Sequence, residues 1–445
     1  MRKLACALAL AGLLAMSLAA CGQPKPVTLL AASDLHYVGD EVTDGGELFQ
    51  MLVEFGDGRQ LDYIVPITDA FISEALAQKP TAVILTGDLT LNGEKNSHEQ
   101  LAARLKALTD AGIGVYVLPG NHDINNYAAY AYIKDGREEI EHVTPEEFTQ
   151  IYAHCGFEAA ASRDTASLSY MAKLSKEAWL FMLDAEQYAD HVPAMPYLVG
   201  GKLQDETYVW LEEQLAACQK AGAVPVIGLH QNLTDHTPRF SNGYTLFEND
   251  RLGELLQTYG ARLLFSGHLH IQDISLWQSE TGEGPGVYDI ASGSLSVWPY
   301  QYGQLTVTPS TKKEGGSLAY QTKATDVTAW AAAQSLADPN YTDFSAFGRE
   351  QFGHNSTTRS TERMLDTLGE KNGAALLRVM AHLNPLYFAG QLTKEEAEAV
   401  RQSEDYKRVK AACEKRSDNP LAYIDSMLES GGKQNLQLTI ELPLG

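Results

Sequence analysis

The chain has 445 residues, 44% hydrophobic and 20% charged, the composition of a globular protein long enough for two domains. Its formal net charge of -23 ranks nucleic acid low as a partner, because binding a phosphate backbone usually takes a basic face. Five cysteines occur without metal-ligand spacing, and the three beyond the leader, Cys155, Cys218 and Cys413, can form at most one disulfide, so this is no disulfide scaffold.

The chain opens with "MRKLACALALAGLLAMSLAACGQ". Arg2 and Lys3 form a basic n-region, and Leu4 to Leu18 form an apolar run too short for a typical spanning helix. The run closes on "LAAC", which resembles the bacterial lipoprotein lipobox and implies lipid attachment at Cys21. An ordinary secretory signal with an incidental cysteine is the competing reading. Either way the expectation is export, and with the lipid it is a membrane-anchored protein on the extracytoplasmic side. The expected division is a signal peptide over 1–21, a catalytic domain over 22–323 and a helical domain with a final strand over 324–445.

After the leader, short apolar segments alternate with helical stretches. "VTLLAAS", "AVILTGD", "GVYVLPG", "AWLFMLD", "VPVIGLH" and "ARLLFSG" read as buried strands. Helices are expected near Tyr63–Gln78, Ser97–Ala111, Pro145–Tyr152, Asp205–Ala221 and Asp250–Tyr259, with Thr144-Pro145-Glu146-Glu147 carrying the cap, first-turn proline and N3 glutamate of a helix start. Fully apolar strands alternating with helices argue an α/β layered fold. After His270 the pattern turns to strand and turn, and around Ala324 it changes again to short amphipathic helices, where Thr393-x-x-Glu396 suggests a second capping box. "LQLTIEL" near the end reads as a last strand.

The strand ends carry the chemistry. The first runs into Asp34-Leu35-His36, the second into Gly87-Asp88 and the third into Gly120-Asn121-His122-Asp123. Later ones end in His230 and in Gly267-His268-Leu269-His270. In layered α/β folds ligands bind beyond the carboxyl ends of strands. Asp34 and His36 are two apart, as are His268 and His270, so on extended backbone each pair projects to one side. Asn121 and His122 are adjacent and must point apart. Oxygen and nitrogen ligands without thiolate suit Mn, Fe, Zn, Co or Ni.

In that order, "DLH", "GD", "GNHD", a lone His after a strand and "GHLH" resemble the calcineurin-like metallophosphoesterase superfamily, over roughly Val27 to Val307. The resemblance implies a four-layer αββα sandwich of two mixed sheets flanked by helices, followed here by the helical domain. It implies two divalent ions bridged by Asp88, one held by Asp34, His36, Asp88 and His270 and the other by Asp88, Asn121, His230 and His268. It makes His122 the catalytic acid, protonating the leaving oxygen while a metal-bridging hydroxide attacks phosphorus. The implied substrate is a phosphodiester or a small phosphomonoester. A nucleotidase or a lipid phosphodiesterase at the cell surface is the alternative. A non-catalytic surface lipoprotein with structural metals is the rival, and it leaves His122 without a use.

Two departures stand out. Leu91 lies where purple acid phosphatases have a metal-binding tyrosine and the Ser/Thr protein phosphatases have an aspartate that supports the catalytic histidine. This chain therefore looks like a non-purple member, with Asp123 as candidate partner for His122. An insertion, "YVGDEVTDGGELFQMLVEFGDGRQ", separates "DLH" from "GD"; it either borders the substrate or is a solvated loop. His236 and Arg239 follow His230 closely enough to reach a bound phosphate. His98, near a helix start, is expected to face solvent, and Cys218 reads as a small core residue.

Overall fold

The computed structural model describes residues 25–134, 136–238, 242–414, 416 and 421–444. Two sheets form its centre. One has six strands in the order Gln437–Glu441, Ser317–Ala324, Gln301–Thr308, Val27–Ala32, Ala82–Thr86 and Gly114–Leu118. The other has seven, Asp273–Trp277, Val287–Ala291, Leu263–Ser266, Val224–Gly228, Ala178–Met182, Tyr170–Lys173 and Ser162–Arg163. The parallel pairings lie at one end of the first sheet, between Val27–Ala32, Ala82–Thr86 and the edge strand Gly114–Leu118, and in the middle of the second, from Ala178–Met182 through to Val287–Ala291. The remaining pairings are antiparallel, so both sheets are mixed.

The side-chain period of a strand decides where each layer packs. Ala178, Leu180 and Met182 belong to the core that also holds Leu29 and Ile84, between the sheets. Their alternates Trp179 and Phe181 pack with Leu211 and Leu215 of the Asp205–Ala221 helix and Leu252 and Leu256 of the Asn249–Thr258 helix. Ile67 and Phe71 of Ile64–Gln78 and Leu101 and Leu105 of Lys95–Asp110 join the first core from the opposite side. The result is two mixed sheets face to face, each covered by helices.

A third core belongs to the C-terminal helices. Met364 and Leu368 from Phe344–Leu368, Leu376 and Leu383 from Glu370–Phe388, and Val409 and Ile424 farther on form it. Where the sequence suggests only short amphipathic helices after Ala324, Phe344–Leu368 is one helix of 25 residues, started by the Asp343 carboxylate accepting from the Ala346 amide. Strand Gln437–Glu441 then returns to the first sheet, pairing antiparallel with Ser317–Ala324.

Local signals at helix starts resolve differently. At Thr144 the reciprocal box forms: its hydroxyl accepts from Glu147 N at 3.2 Å and the Glu147 carboxylate accepts from Thr144 N at 2.9 Å. At Thr393 only half forms, because the Glu396 side chain turns to His382 at 2.6 Å instead. The insertion after His36 is no bare loop; it contains the helix Glu47–Glu54, whose Phe49 and Val53 enter the first core.

Candidate metal centre and its cavity

Asp34, His36, Asp88 and His270 form one group able to hold a metal ion, and Asp88, His230 and His268 form a second, with Asp88 common to both. All but His270 are buried. His36 Nε2 lies 3.0 Å from His270 Nε2, which lies 3.4 Å from Asp34 Oδ1. His230 Nε2 lies 3.4 Å from Asp88 Oδ1 and 3.2 Å from Asn121 Oδ1.

The backbone that brings these groups together is not extended, contrary to the two-residue spacing argument. Strand Val27–Ala32 ends before the site, and Asp34, His36, Asp88, His268 and His270 all have φ between 46° and 69°. For residues with a Cβ this left-handed conformation is uncommon and costly, and it persists only where neighbours hold it. Here they do. Asp34 accepts from the His268 amide at 3.1 Å, while the Ser294 and Ser296 hydroxyls donate to its carbonyl at 2.7 and 3.1 Å. His36 N donates to Asp88 O at 3.0 Å. Two glycines make the close approach possible: a Cβ on Gly120 would lie 2.3 Å from Asp88 N, and one on Gly87 2.5 Å from His230 Nδ1.

Donor chemistry tests whether cations fit. His230 Nδ1 sits 2.8 Å from the Thr86 carbonyl, so it carries the proton and leaves Nε2 facing two oxygens. A positive charge at Nε2, a proton or a metal ion, satisfies the oxygens facing it. Burial alone would lower the His230 pKa, yet Asp88 and Asp34 raise it well above the ordinary histidine value. Burial also opposes ionisation of Asp88, but His230, His122 and His36 hold its carboxyl well below the usual range. His268 is pushed down to about 3 by burial, and its buried Nε2 has no hydrogen-bond partner. His36 and His268, held neutral by burial, and His230, whose Nε2 faces the Asp88 carboxylate, fit a pair of divalent ions.

His122 stands beside both groups. Its amide donates to Asp88 Oδ1 at 3.0 Å, and its Nδ1 lies 3.0 Å from both Leu91 O and Asn92 Oδ1. Tyr197 stacks on the ring with centroids 4.5 Å apart. Asp123 is not its partner. That buried carboxylate instead accepts from the amides of Gly120, Leu89 and Thr90, tying the two ligand loops together. His98 is also buried rather than solvated, held by Thr90 at 3.2 Å and Tyr152 at 3.0 Å.

A cavity of about 770 Å³ opens over these residues. His36, Asp88, Asn121, His122, His268 and His270 line one wall. Asp57 and Arg59 from the insertion line it too, with Arg59 Nη1 3.4 Å from His36 Nδ1. The lining also includes Ser356, Arg359, Ser360, Arg363 and Met364 of Phe344–Leu368, with Met380, Asn384 and Phe388 of the next helix.

Residues 27–272 match the family described as calcineurin-like phosphoesterase. The chain belongs to the calcineurin-like phosphoesterase family. It is therefore a metal-dependent hydrolase of phosphoric esters. Residues 326–433 match a second family, described as the C-terminal domain of cyclic nucleotide phosphodiesterase. Among solved structures the phosphoesterase resembles a dimetal phosphatase from Danio rerio, at 12% identity and TM-score 0.44, covering 67% of this chain and 96% of that one. It also resembles the purple acid phosphatase PPD1 from yellow lupin, Lupinus luteus, at 13% identity and TM-score 0.39, covering 68% and 52%. A third is GAP50, the anchor in the inner membrane complex of Plasmodium, at 11% identity and TM-score 0.35, covering 68% and 85%. No curated protein matches the sequence.

One expected substrate contact of the phosphoesterase, His236, is not brought to the cavity. His236 lies buried between Asp273 Oδ2 at 2.7 Å and Asp289 Oδ2 at 3.0 Å, outside the cavity lining. Two carboxylates on neighbouring strands hold it there and raise its pKa to about 9 against the effect of burial. Arg239 lies outside the described residues, as do Cys21 and the rest of the leader. Among the described residues no helix is long and apolar enough to cross a membrane. Sequence reasoning passed over Tyr197, Arg59, Arg359 and Arg363. Asn92 was readable, as one of two side chains in "GDLTLNG" beyond Asp88, with Thr90, able to accept from an imidazole.

Proposed function

We propose that this phosphoesterase hydrolyses a small phosphodiester at two divalent ions sharing Asp88, and that it works outside the cytoplasm, anchored through lipid on Cys21. The observation that carries the reading is the shared carboxylate: Asp88 belongs to both ligand groups, while His122 borders them without joining either. Asp34, His36, Asp88 and His270 would hold one ion, and Asp88, Asn121, His230 and His268 the other. Such a pair, when bound, supplies a low-pKa water and neutralises phosphoryl oxygens. Everything else is the work of side chains. Leu91 O and Asn92 Oδ1 both lie at hydrogen-bond distance from His122 Nδ1, which directs the proton there and leaves Nε2 as the nitrogen to serve the departing oxygen. Arg59 brings a cation to the same wall.

A diester is favoured over a monoester by the match of residues 326–433 to a domain of cyclic nucleotide phosphodiesterase. The net charge of -23 opposes long polyanions and leaves small esters as the substrate class. The leader supports export through its basic start, apolar run and "LAAC" ending.

The test is metal analysis of purified Gly22–Gly445 with a panel of mono- and diesters in Mn, Zn or Fe. Two metal equivalents and diester turnover are expected, and Asp88→Asn is expected to lower both together. Two retained metals with full rate in Asp88→Asn would overturn the bridge.

A further inference from the structure

We propose that Arg359 and Arg363 form a second phosphate subsite in the cavity that the metal ligands also line, so that the preferred diester carries another phosphate on its retained group. This rests on the phosphodiesterase reading and narrows it.

The helix face is the first ground. Ser356, Arg359, Ser360, Arg363 and Met364 are spaced as i, i+3, i+4, i+7 and i+8, one continuous stripe of Phe344–Leu368, and all five line the cavity. Four of the five are hydrogen-bond donors. A stripe that served only to pack the helix against its neighbours would be apolar, as it is where Phe352 and Leu368 enter the cores.

Charge is the second. In a chain with 57 acidic and 34 basic residues, three arginines converge on one cavity, against Asp57 and Asp88 in its lining. Asp88 is committed to the metal ligands. Asp57 pairs with Arg359 at 3.0 Å, but both are more than half exposed, at 55% and 57%, and such pairs are weak enough for an anion to displace. Arg363 has no carboxylate partner among the described residues. Two guanidinium forks one helical turn apart suit a phosphate dianion, with Ser356 one turn before Arg359 and Ser360 between the two arginines on the same stripe.

Space is the third. About 770 Å³ is far more than a phosphoryl group fills, and Met364, Met380 and Phe388 lie on the same helical wall, offering apolar surface to the body that separates the two phosphates.

Two chromogenic diesters with the same leaving group test this: thymidine 5′-(4-nitrophenyl phosphate) and its 3′-phosphorylated counterpart. The expected kcat/KM favours the 3′-phosphorylated ester by roughly 10–100-fold, the worth of one or two charge-assisted hydrogen bonds. Arg363→Gln should shrink that ratio and Arg359→Gln with Arg363→Gln should bring it close to one. A wild-type ratio near one, or a ratio that survives the double variant, would overturn the subsite while leaving the phosphodiesterase reading intact. If neither ester is cleaved with metals supplied, the phosphodiesterase reading fails, and calorimetry decides the subsite separately. Thymidine 3′,5′-bisphosphate should then bind at least roughly tenfold tighter than thymidine 5′-monophosphate to the wild type but not to the double variant. Equal affinities would overturn the subsite.

Discussion

The two walls of the cavity are built on opposite principles. At the strand ends most ligand side chains are buried, Asp34, His36, Asp88, His268 and His270 sit on left-handed backbone, and most polar atoms are held by a neighbour. On the helical wall the arginines stand on regular helix and are exposed to solvent. Fixed geometry costs backbone strain and suits metal binding, where a shift of a few tenths of an ångström changes coordination. Mobile cations on a helix face suit recognition of a variable group. One tetrapeptide joins the walls: in His268-Leu269-His270-Ile271 the histidines turn to the metal groups while Leu269 and Ile271 enter the core of the C-terminal helices. The helical region thus supports the loop that carries two of the proposed ligands.

The largest effect should come from the rigid wall. His122→Asn should keep both metals and lose roughly 10²–10⁴ in turnover, the range for a general acid. The loss should shrink for esters with very acidic leaving groups, and Asn92→Ala should reproduce part of it by loosening the ring. A uniform loss across leaving groups would make His122 a positioning residue and weaken the contrast between chemistry on one wall and recognition on the other.

The joint between the walls comes next. Leu269→Ala should cost roughly 2–5 kcal/mol of stability, as buried leucine truncations do. It should also lower metal affinity, because the loop of His268 and His270 loses its anchor. Leu376→Ala, in the same helical core but far from the loop in sequence, should destabilise comparably and spare metal affinity. Thermal melts with metal titrations separate the two. Equal metal affinity in both variants would mean that the walls are independent.

A smaller effect concerns the buried charges around His236. Its pKa is raised to about 9 from an ordinary 6.5, so its contribution to stability is complete below about pH 6.5 and is lost as pH rises through 9. The loss is at most about 3 kcal/mol at 1.36 kcal/mol per unit. Lys433 Nζ, 2.6 Å from Asp273 Oδ2, ties the C-terminal region to the same cluster. Denaturant unfolding between pH 6 and 10 should show the decline in wild type and a flatter profile in His236→Gln. Parallel profiles would place the pH dependence elsewhere.

What the sequence determined by itself was the layered α/β fold and the list of strand-end residues, because both are written locally. Apolar segments of strand length fix which pieces form sheets, and Asp, His and Asn directly after them are visible without knowing how the strands are arranged. The family resemblance came from the order of those motifs. Tertiary structure alone decided the rest. Asp123 and His98 looked like a catalytic partner and a surface residue, yet their hydrogen bonds are made to loops and helices that no local pattern reveals. His236 lies six positions after His230 but is drawn away by Asp273 and Asp289, which are distant in sequence. The left-handed turns at Asp34, His36, His268 and His270 exist because remote groups hold them, so extended-strand spacing could not anticipate them. Arg359 and Arg363 were passed over, because a series of short helices does not put them on one stripe; the single helix Phe344–Leu368 does. Which way that stripe faces depends on how the helix packs, and only the folded chain turns it toward the metal ligands.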